Sequence, residues 1–451
     1  MKKILIAALS IIFILLIQSC SGILQLEKQS GFITVNGTNF LLDGKPYYFV
    51  GTNFWYGCYI GSPGETGDRE RLLRELDFLN EHGITNLRVL AASENASTKN
   101  LLRPAITISP GVYNEELLEG LDFLLAEMGK RGMHAVVFLN NYWEWSGGMV
   151  QYNNWFGGTE IPDLTAPDAD WNKFMNLSAS FYRNHEANEY FKEYIKMIIT
   201  RKNKFTGKNY YEDTAIMAWQ LANEPRPGNG ELGNVYIQNY YDWIDSTSAY
   251  IHSIDPNHLV TTGSEGYYGS NASAEYYMKA HSTKDIDYLT FHLWAKNWGW
   301  FRANDMEGTY PGTEEKALEY IRNHIEYAKQ VGKPLTLEEF GLGRDYEKTA
   351  EDTPTSYRDK YFQTIFDLIY ENAKNGAPIA GTNIWSWGGE ARATNQDAKY
   401  SKGDPFTGDP PQEPQGLNSI FNTDESTLRI IKIHSEKMFE LRDSIKVASK
   451  D

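Results

Sequence analysis

Cysteine is almost absent from this chain: there are 2 in 451 residues, Cys20 and Cys58. A disulfide framework is therefore not the source of stability, and a chain of this length can rely on its core. Basic charge is also short. Lys and Arg number 43 against 59 Asp and Glu, a formal net charge of −16. That balance argues against nucleic acid as a partner, because phosphate binding needs a basic surface. Apolar runs long enough for the membrane are missing. The run from Ile4 to Ile17 covers 14 residues, short of the ~20 that a spanning helix needs. Several enzyme signatures are absent as well. There is no paired-His zinc motif, no GxSxG elbow and no GxGxxG after the first strand, and Gly207-Lys208 is followed by Asn209, not by the Ser or Thr of a phosphate loop. No cofactor and no metal is expected.

Aromatic residues are plentiful. They make up 14% of the chain, with 12 Trp, 29 Tyr and 21 Phe, inside a hydrophobic fraction of 41% that suffices for a core. Much of the tryptophan stands beside Asn, Gly or Ser. Ring faces among many carboxylates suit a neutral polyhydroxylated ligand, although core and rim packing accounts for rings equally well.

The N-terminus reads as an address. Met1-Lys2-Lys3 is basic, the apolar run follows, and Ile17-Gln18-Ser19-Cys20 resembles a bacterial lipobox. The resemblance implies a signal peptide over 1–19, lipid on Cys20 and attachment to the cell envelope. The alternative is a plain secretory signal and a secreted protein. Residues 20–30 then form a polar tether, and 31–451 a single catalytic domain, expected to act as a monomer. Cys58 is expected to be a small buried hydrophobe.

Beyond the tether, apolar β-rich runs alternate with amphipathic stretches. Strands are expected at Tyr47–Gly51, Ile84–Leu90, Met133–Leu139, Thr214–Leu221, His258–Thr262, Asp287–Phe291, Pro334–Glu339 and Pro378–Trp385. Helices are expected at Arg69–His82, Glu115–Arg131, Ala187–Arg201, Tyr236–Ile254, Glu314–Gln330 and Ser356–Ala373, with a loop-rich insertion before Ala187. Eight βα units in about 400 residues define α/β architecture and favour a closed (β/α)8 TIM barrel with extended loops over a doubly wound open sheet. In a barrel, functional groups belong at the C-terminal strand ends.

Two glutamates stand at such ends. Glu224 lies in Trp219-Gln220-Leu221-Ala222-Asn223-Glu224-Pro225 after strand four. Glu339 lies in Leu337-Glu338-Glu339-Phe340-Gly341 at strand seven. Only a closed barrel brings these ends to one cleft. Glycosidic hydrolysis needs two carboxylates, one to protonate the leaving oxygen and one to attack or to activate water. Strict alternation would turn Glu338 away from the cleft that Glu339 faces. Arg88 inside strand two needs a carboxylate partner if buried. His292 and Trp294 follow strand six, and Trp385 ends strand eight.

These features resemble glycoside hydrolase family 5, a family of retaining (β/α)8 enzymes, over roughly residues 31–440. The narrower resemblance is to endo-β-1,4-mannanases. It rests on Gly51-Thr52-Asn53-Phe54-Trp55-Tyr56, on Trp219 through Arg226, on Gly263-Ser264-Glu265-Gly266, on Asn297-Trp298-Gly299-Trp300 and on Asp409 through Gly416. The resemblance implies a β-mannan or manno-oligosaccharide substrate, with Glu224 as acid/base and Glu339 as nucleophile. It implies that burial and the negative Glu339 raise the Glu224 pKa. Asn223 would contact the sugar 2-hydroxyl, Arg88 would fix the nucleophile, and His292 would join the network. Trp385 would lie under the reacting sugar, after a non-proline cis peptide. Trp294 stands where the family has tyrosine, so Tyr267 or another residue is expected to substitute for it. Asn140-Asn141 stands where the family has a strand-three histidine, which makes Asn141 a candidate sugar contact. Trp55 and Trp298, with Trp143, Trp145 and Trp300, are candidate subsite walls. Other readings are a β-1,4-glucanase or a chain-end mannosidase on the same scaffold. More distant is a lipid-anchored glycan-binding protein without activity, for which two retained glutamates would have no use.

Overall fold

The computed structural model describes residues 30–444; the expected signal peptide, Cys20 and most of the expected tether lie outside them. Eight parallel strands form one sheet: β1 (Phe49–Asn53), β2 (Asn86–Leu90), β3 (His134–Phe138), β4 (Ile216–Gln220), β5 (Leu259–Thr261), β6 (Leu289–Leu293), β7 (Leu335–Phe340) and β8 (Ile379–Ile384). Their spatial order is β5-β4-β3-β2-β1-β8-β7-β6. The two end strands meet through a parallel bridge between Thr261 and Tyr288, and the Asp287 amide donates to the Val260 carbonyl at 2.8 Å. The sheet thereby closes into the expected barrel. Almost every strand residue is buried, because a parallel sheet wrapped by helices has no wet face.

The surrounding helices are α1 (Arg69–Glu81), α2 (Glu115–Lys130), α3 (His185–Ile199), α4 (Gly230–Ile254), α5 (Ala274–His281), α6 (Met306–Val331), α7 (Ser356–Lys374) and α8 (Glu425–Ser444). Local chemistry starts and orients them. The Asp68 carboxylate accepts from the Arg71 amide at 3.0 Å and caps α1. Leu72, Leu76 and Leu79, spaced at three and four, are fully buried against the barrel.

Several elements differ from the sequence expectation, which named no helix at α5 or α8. The insertion before α3 is helical, with helices at Gly148–Gly157 and Trp171–Ala179; they pack on each other and on α3 and α4, a tertiary contact that local pattern does not report. Helix α6 starts at Met306, ahead of the expected Glu314, because Gly308, Pro311 and Gly312 read as breakers yet lie in its first turns. A hairpin, Ile33–Asn36 with Asn39–Leu42, precedes β1. It sets Phe32 on His258 and Phe40 on Tyr288 by ring edges at 5.0 and 5.1 Å, just before β5 and β6, and so covers the N-terminal end of the barrel. Cys58 is buried as expected, and burial pushes its thiol pKa up.

Candidate active site

The C-terminal strand ends gather the charged residues. Beyond β4 the chain turns sharply, and Glu224 sits at φ +50°, a left-handed conformation that glutamate rarely adopts. Backbone bonds hold it there: the Glu224 amide donates to Gly263 at 3.0 Å and the Asn223 amide to Asn140 at 2.8 Å. Glycine is required at 263, where φ is +79° and a Cβ would stand 1.9 Å from the Ala222 carbonyl oxygen.

Glu339 lies on β7 beside His292 of β6. The Glu224 Oε1 is 2.6 Å from His292 Nδ1, and Glu339 Oε2 is 3.3 Å from the same nitrogen. Donor atoms of Glu224, His292 and Glu339 all fall within 4.8 Å of one another. They are the one such group among the described residues that converges closely enough to ligate a metal. Each carboxylate already holds a cation, His292 or Arg88, that competes for the same oxygens.

Arg88 is fully buried and finds the expected carboxylate. Its Nη1 donates to Glu339 at 2.5 Å and to Asn53 Oδ1 at 3.0 Å, Nη2 donates to Asn223 Oδ1 at 2.7 Å, and Nε to Gln220 Oε1 at 2.9 Å. Glu338 does not turn away. Residues 289, 290 and 291 pair with 335, 336 and 337, but His292 pairs with Glu339, so Glu338 is an extra residue in β7. A bulge of this kind breaks period two and turns neighbours to one side. Both glutamates therefore face Arg88, with Glu338 at 3.7 Å from its Nε and fully buried.

The charge balance decides the protonation. Four glutamates (224, 265, 338, 339) meet Arg88, Arg226 and His292 in a largely buried site. Burial works to raise the Glu224 carboxyl, but the hydrogen bond and charge of His292, the charge of Arg226 and the Trp143 N–H outweigh it and lower it to about 2. Burial works to lower His292, but Glu339 and Glu224 raise it to about 9. The expectation of a raised Glu224 is thus corrected for the resting site: the hydrogen bond and charge of His292 hold its carboxyl below the ordinary range, and the two carboxylates hold His292 above its own. Glu265, at the end of β5, is raised to about 7, first by burial and then, against the lowering influence of Arg226, by the charge of Glu224.

A stability prediction follows from His292. Its folded pKa, about 9, exceeds the ordinary 6.5, so its contribution is complete below pH 6.5 and is lost as pH rises toward 9. The thermal midpoint should fall across that window, and His292→Asn should flatten the fall. An equal slope in both proteins over pH 6.5–9 would sink the assignment.

The other expected residues divide. Asn223 is in place, its Oδ1 fixed by Arg88 and its Nδ2 3.1 Å from Asn141 Oδ1. Asn141 is not a free contact: its Oδ1 also accepts from the Trp143 amide and its Nδ2 donates to Ser146, so both amide ends serve the protein. Trp385 follows β8, only 5% exposed, its indole N–H without a partner. The cis peptide joins Trp385 to Ser386, after the tryptophan and not before it. Trp294 meets Trp385 edge-on at 5.8 Å. Trp55 is fully buried, donating to the Gly408 carbonyl at 2.6 Å, and lies under the segment after β8. Tyr267 does not replace the missing phenol. Its amide is held by His324 Nε2 at 3.1 Å and its ring packs on Tyr268, so it faces α6. Trp298 packs with Tyr268, Trp300 and Tyr320 at 4.4–5.0 Å, and none of its recorded contacts is with the two glutamates.

Sequence reasoning passed over several groups. Trp143, taken only as a possible wall, donates its indole N–H to Glu224 Oε2 at 2.5 Å. Arg226 lies 4.9 Å over the Trp143 ring and pairs with Glu265. Asn53, Gln220 and Glu265 also join the network. Glu265 at a strand end carried the same positional signal as Glu224 and could have been found by it.

A barrel that opens two buried carboxylates onto one imidazole, with a guanidinium on one of them, has the plan of a glycoside hydrolase. Residues 30–443 match the family model described as GH family 5 beta-mannosidase-like, and the chain belongs to that family. It is 30% identical over 404 residues to mannan endo-1,4-beta-mannosidase 5 of Solanum lycopersicum, covering 84% of this chain and 88% of that protein. It superposes on the crystal structure of a glycoside hydrolase family 5 mannosidase from Rhizomucor miehei with a TM-score of 0.84 and 35% identity, over 92% of this chain and all of that one. The endo-1,4-beta-mannanase of the same organism shares the fold at a TM-score of 0.67 and 23% identity, over 91% of this chain and 99% of that one.

Proposed function

We propose that this protein hydrolyses β-1,4-mannosidic bonds in mannan, glucomannan, galactomannan or their oligosaccharides with retention of configuration. The observation that carries the reading is the convergence of Glu224 and Glu339 on one cleft, with one oxygen of each within 4.8 Å of the other. Carboxylates about 5–5.5 Å apart suit attack by one of them, whereas inversion needs about 6.5–9.5 Å to admit a water. The named substrates of the relatives supply the sugar.

In this mechanism Glu339 attacks the anomeric carbon while Glu224 gives a proton to the departing oxygen. That proton comes from His292 along the 2.6 Å contact. As Glu339 becomes an ester its charge disappears, and with it the Coulomb attraction that does most to raise His292. Glu224, now a carboxylate, takes a proton from water, and the hydroxide oxygen attacks the same carbon and releases Glu339. Asn223, its amide oxygen held by Arg88, keeps an N–H for the sugar 2-hydroxyl, and Trp385 stacks beneath the ring.

A second reading, release of single sugars from the chain end, is favoured by the segment after β8. Gln412 from that segment shares a cavity of about 310 Å³ with Lys99, Glu144, Asp163 and Trp171 from the loops after β2 and β3. Loops that meet in this way wall one end of the cleft. Incubation with mannan, glucomannan, galactomannan and carboxymethyl cellulose, with products sized over time, tests both. Mixed oligosaccharides from the mannans mean internal cleavage, and mannose alone means chain-end cleavage. Release from cellulose only, or no release at all, overturns the proposal.

A further inference from the structure

Glu338 has no part in the mechanism above, yet it is wired into the site. Its Oε2 accepts from Gln220 Nε2 at 2.5 Å, its Oε1 lies 3.5 Å from the Tyr288 hydroxyl, and its backbone carbonyl accepts from Asn53 Nδ2 at 2.8 Å. From these contacts we infer that Glu338 is a positioning residue for the nucleophile and for the 2-hydroxyl contact, acting through Gln220, Asn53 and Arg88.

A primary amide has a donor end and an acceptor end. Because Glu338 takes the N–H of Gln220, the Gln220 oxygen must face Arg88, where it accepts from Nε at 2.9 Å. Asn53 is turned the same way: its N–H groups go to the carbonyls of Glu338 at 2.8 Å and Ile384 at 3.3 Å, and its oxygen faces Arg88 at 3.0 Å from Nη1. The Glu338 side chain thus sets the Gln220 acceptor, and its backbone carbonyl shares with Ile384 in setting the Asn53 acceptor. With those edges fixed, Nη1 is aimed at Glu339 and Nη2 at the oxygen of Asn223, whose own N–H is left directed outward. Without an acceptor at 338, Gln220 is free to turn and present its amino group to the guanidinium, which repels it. Burial raises the Glu338 carboxyl, with the Gln220 N–H and Arg88 opposing that rise. The bulge in β7 is what brings the residue inward.

This inference rests on Glu339 being the nucleophile, so Glu339→Ala and the unmutated protein are run alongside on an aryl β-mannoside. Inactivity of the unmutated protein counts against the proposed function and not against the relay. Glu338→Met, of similar volume, should lower kcat on the order of a hundredfold, the scale of a small misplacement, with KM nearly unchanged. Glu338→Gln keeps an acceptor and should hold kcat within a few-fold. Glu338→Met combined with Gln220→Met should cost little more than Glu338→Met alone, since both break the same relay. Multiplying costs, a Glu338→Gln as poor as Glu338→Met, or an unimpaired Glu338→Met would each overturn it. If Glu338→Met does not fold, as judged by circular dichroism, Gln220→Met carries the test: a loss in kcat equal to the one expected above supports the relay, and full activity refutes it.

Discussion

Glu339→Ala is expected to lower kcat by roughly 10⁵- to 10⁶-fold, the scale on which loss of an attacking group costs an enzyme, with KM for a manno-oligosaccharide little changed. The reason is that no other carboxylate can take its place. Glu338, the adjacent glutamate, is fully buried below the cleft and spends its oxygens on Gln220 and Tyr288. The variant leaves the Arg88 charge buried with less compensation, so its fold must be checked by circular dichroism. Azide added to the folded variant enters the vacated space and attacks from the same face, once, giving the α-mannosyl azide. Turnover within tenfold of the unmutated protein would transfer the role of nucleophile to Glu338.

Glu224→Ala should behave differently according to the leaving group. On manno-oligosaccharides the loss should be about 10²- to 10⁴-fold, the range for a positioned acid or base. On 2,4-dinitrophenyl β-mannoside the leaving group needs no proton, so the first step survives. The second step does not, because no base remains for the water. A burst of dinitrophenol followed by a slow steady rate is the expected trace, and azide should yield the β-mannosyl azide. Equal losses on both substrates without a burst would remove Glu224 from the acid/base role.

The strands, their order and the two strand-end glutamates were legible because each follows from a local rule. Apolar β-rich runs alternated with 3.6-residue periodicity, and the NEP and EFG segments stood at strand ends. Arg88 was legible as a buried ion needing a partner. The side-chain network was not. Trp55 and Trp298 carry the same residue type as Trp143 and Trp385, and only packing tells them apart. Trp55 is covered by a segment some 350 residues away in the chain, while Trp143 reaches Glu224. Asn141 looked like a free amide until both its ends were seen to be occupied.

The chain alone determined the barrel, the two carboxylates and the shortage of basic charge, since periodicity, strand-end position and composition are properties of neighbours in sequence. Tertiary structure decided which way Glu338 points, that His292 holds the Glu224 carboxyl down where the charge of Glu339 was expected to raise it, and which tryptophans face the cleft. A bulge is a mismatch between two strands, a pKa sums burial and charges from five different strands, and burial depends on what arrives from elsewhere in the chain. None of these is a property of any one segment, so only closing the barrel could set them.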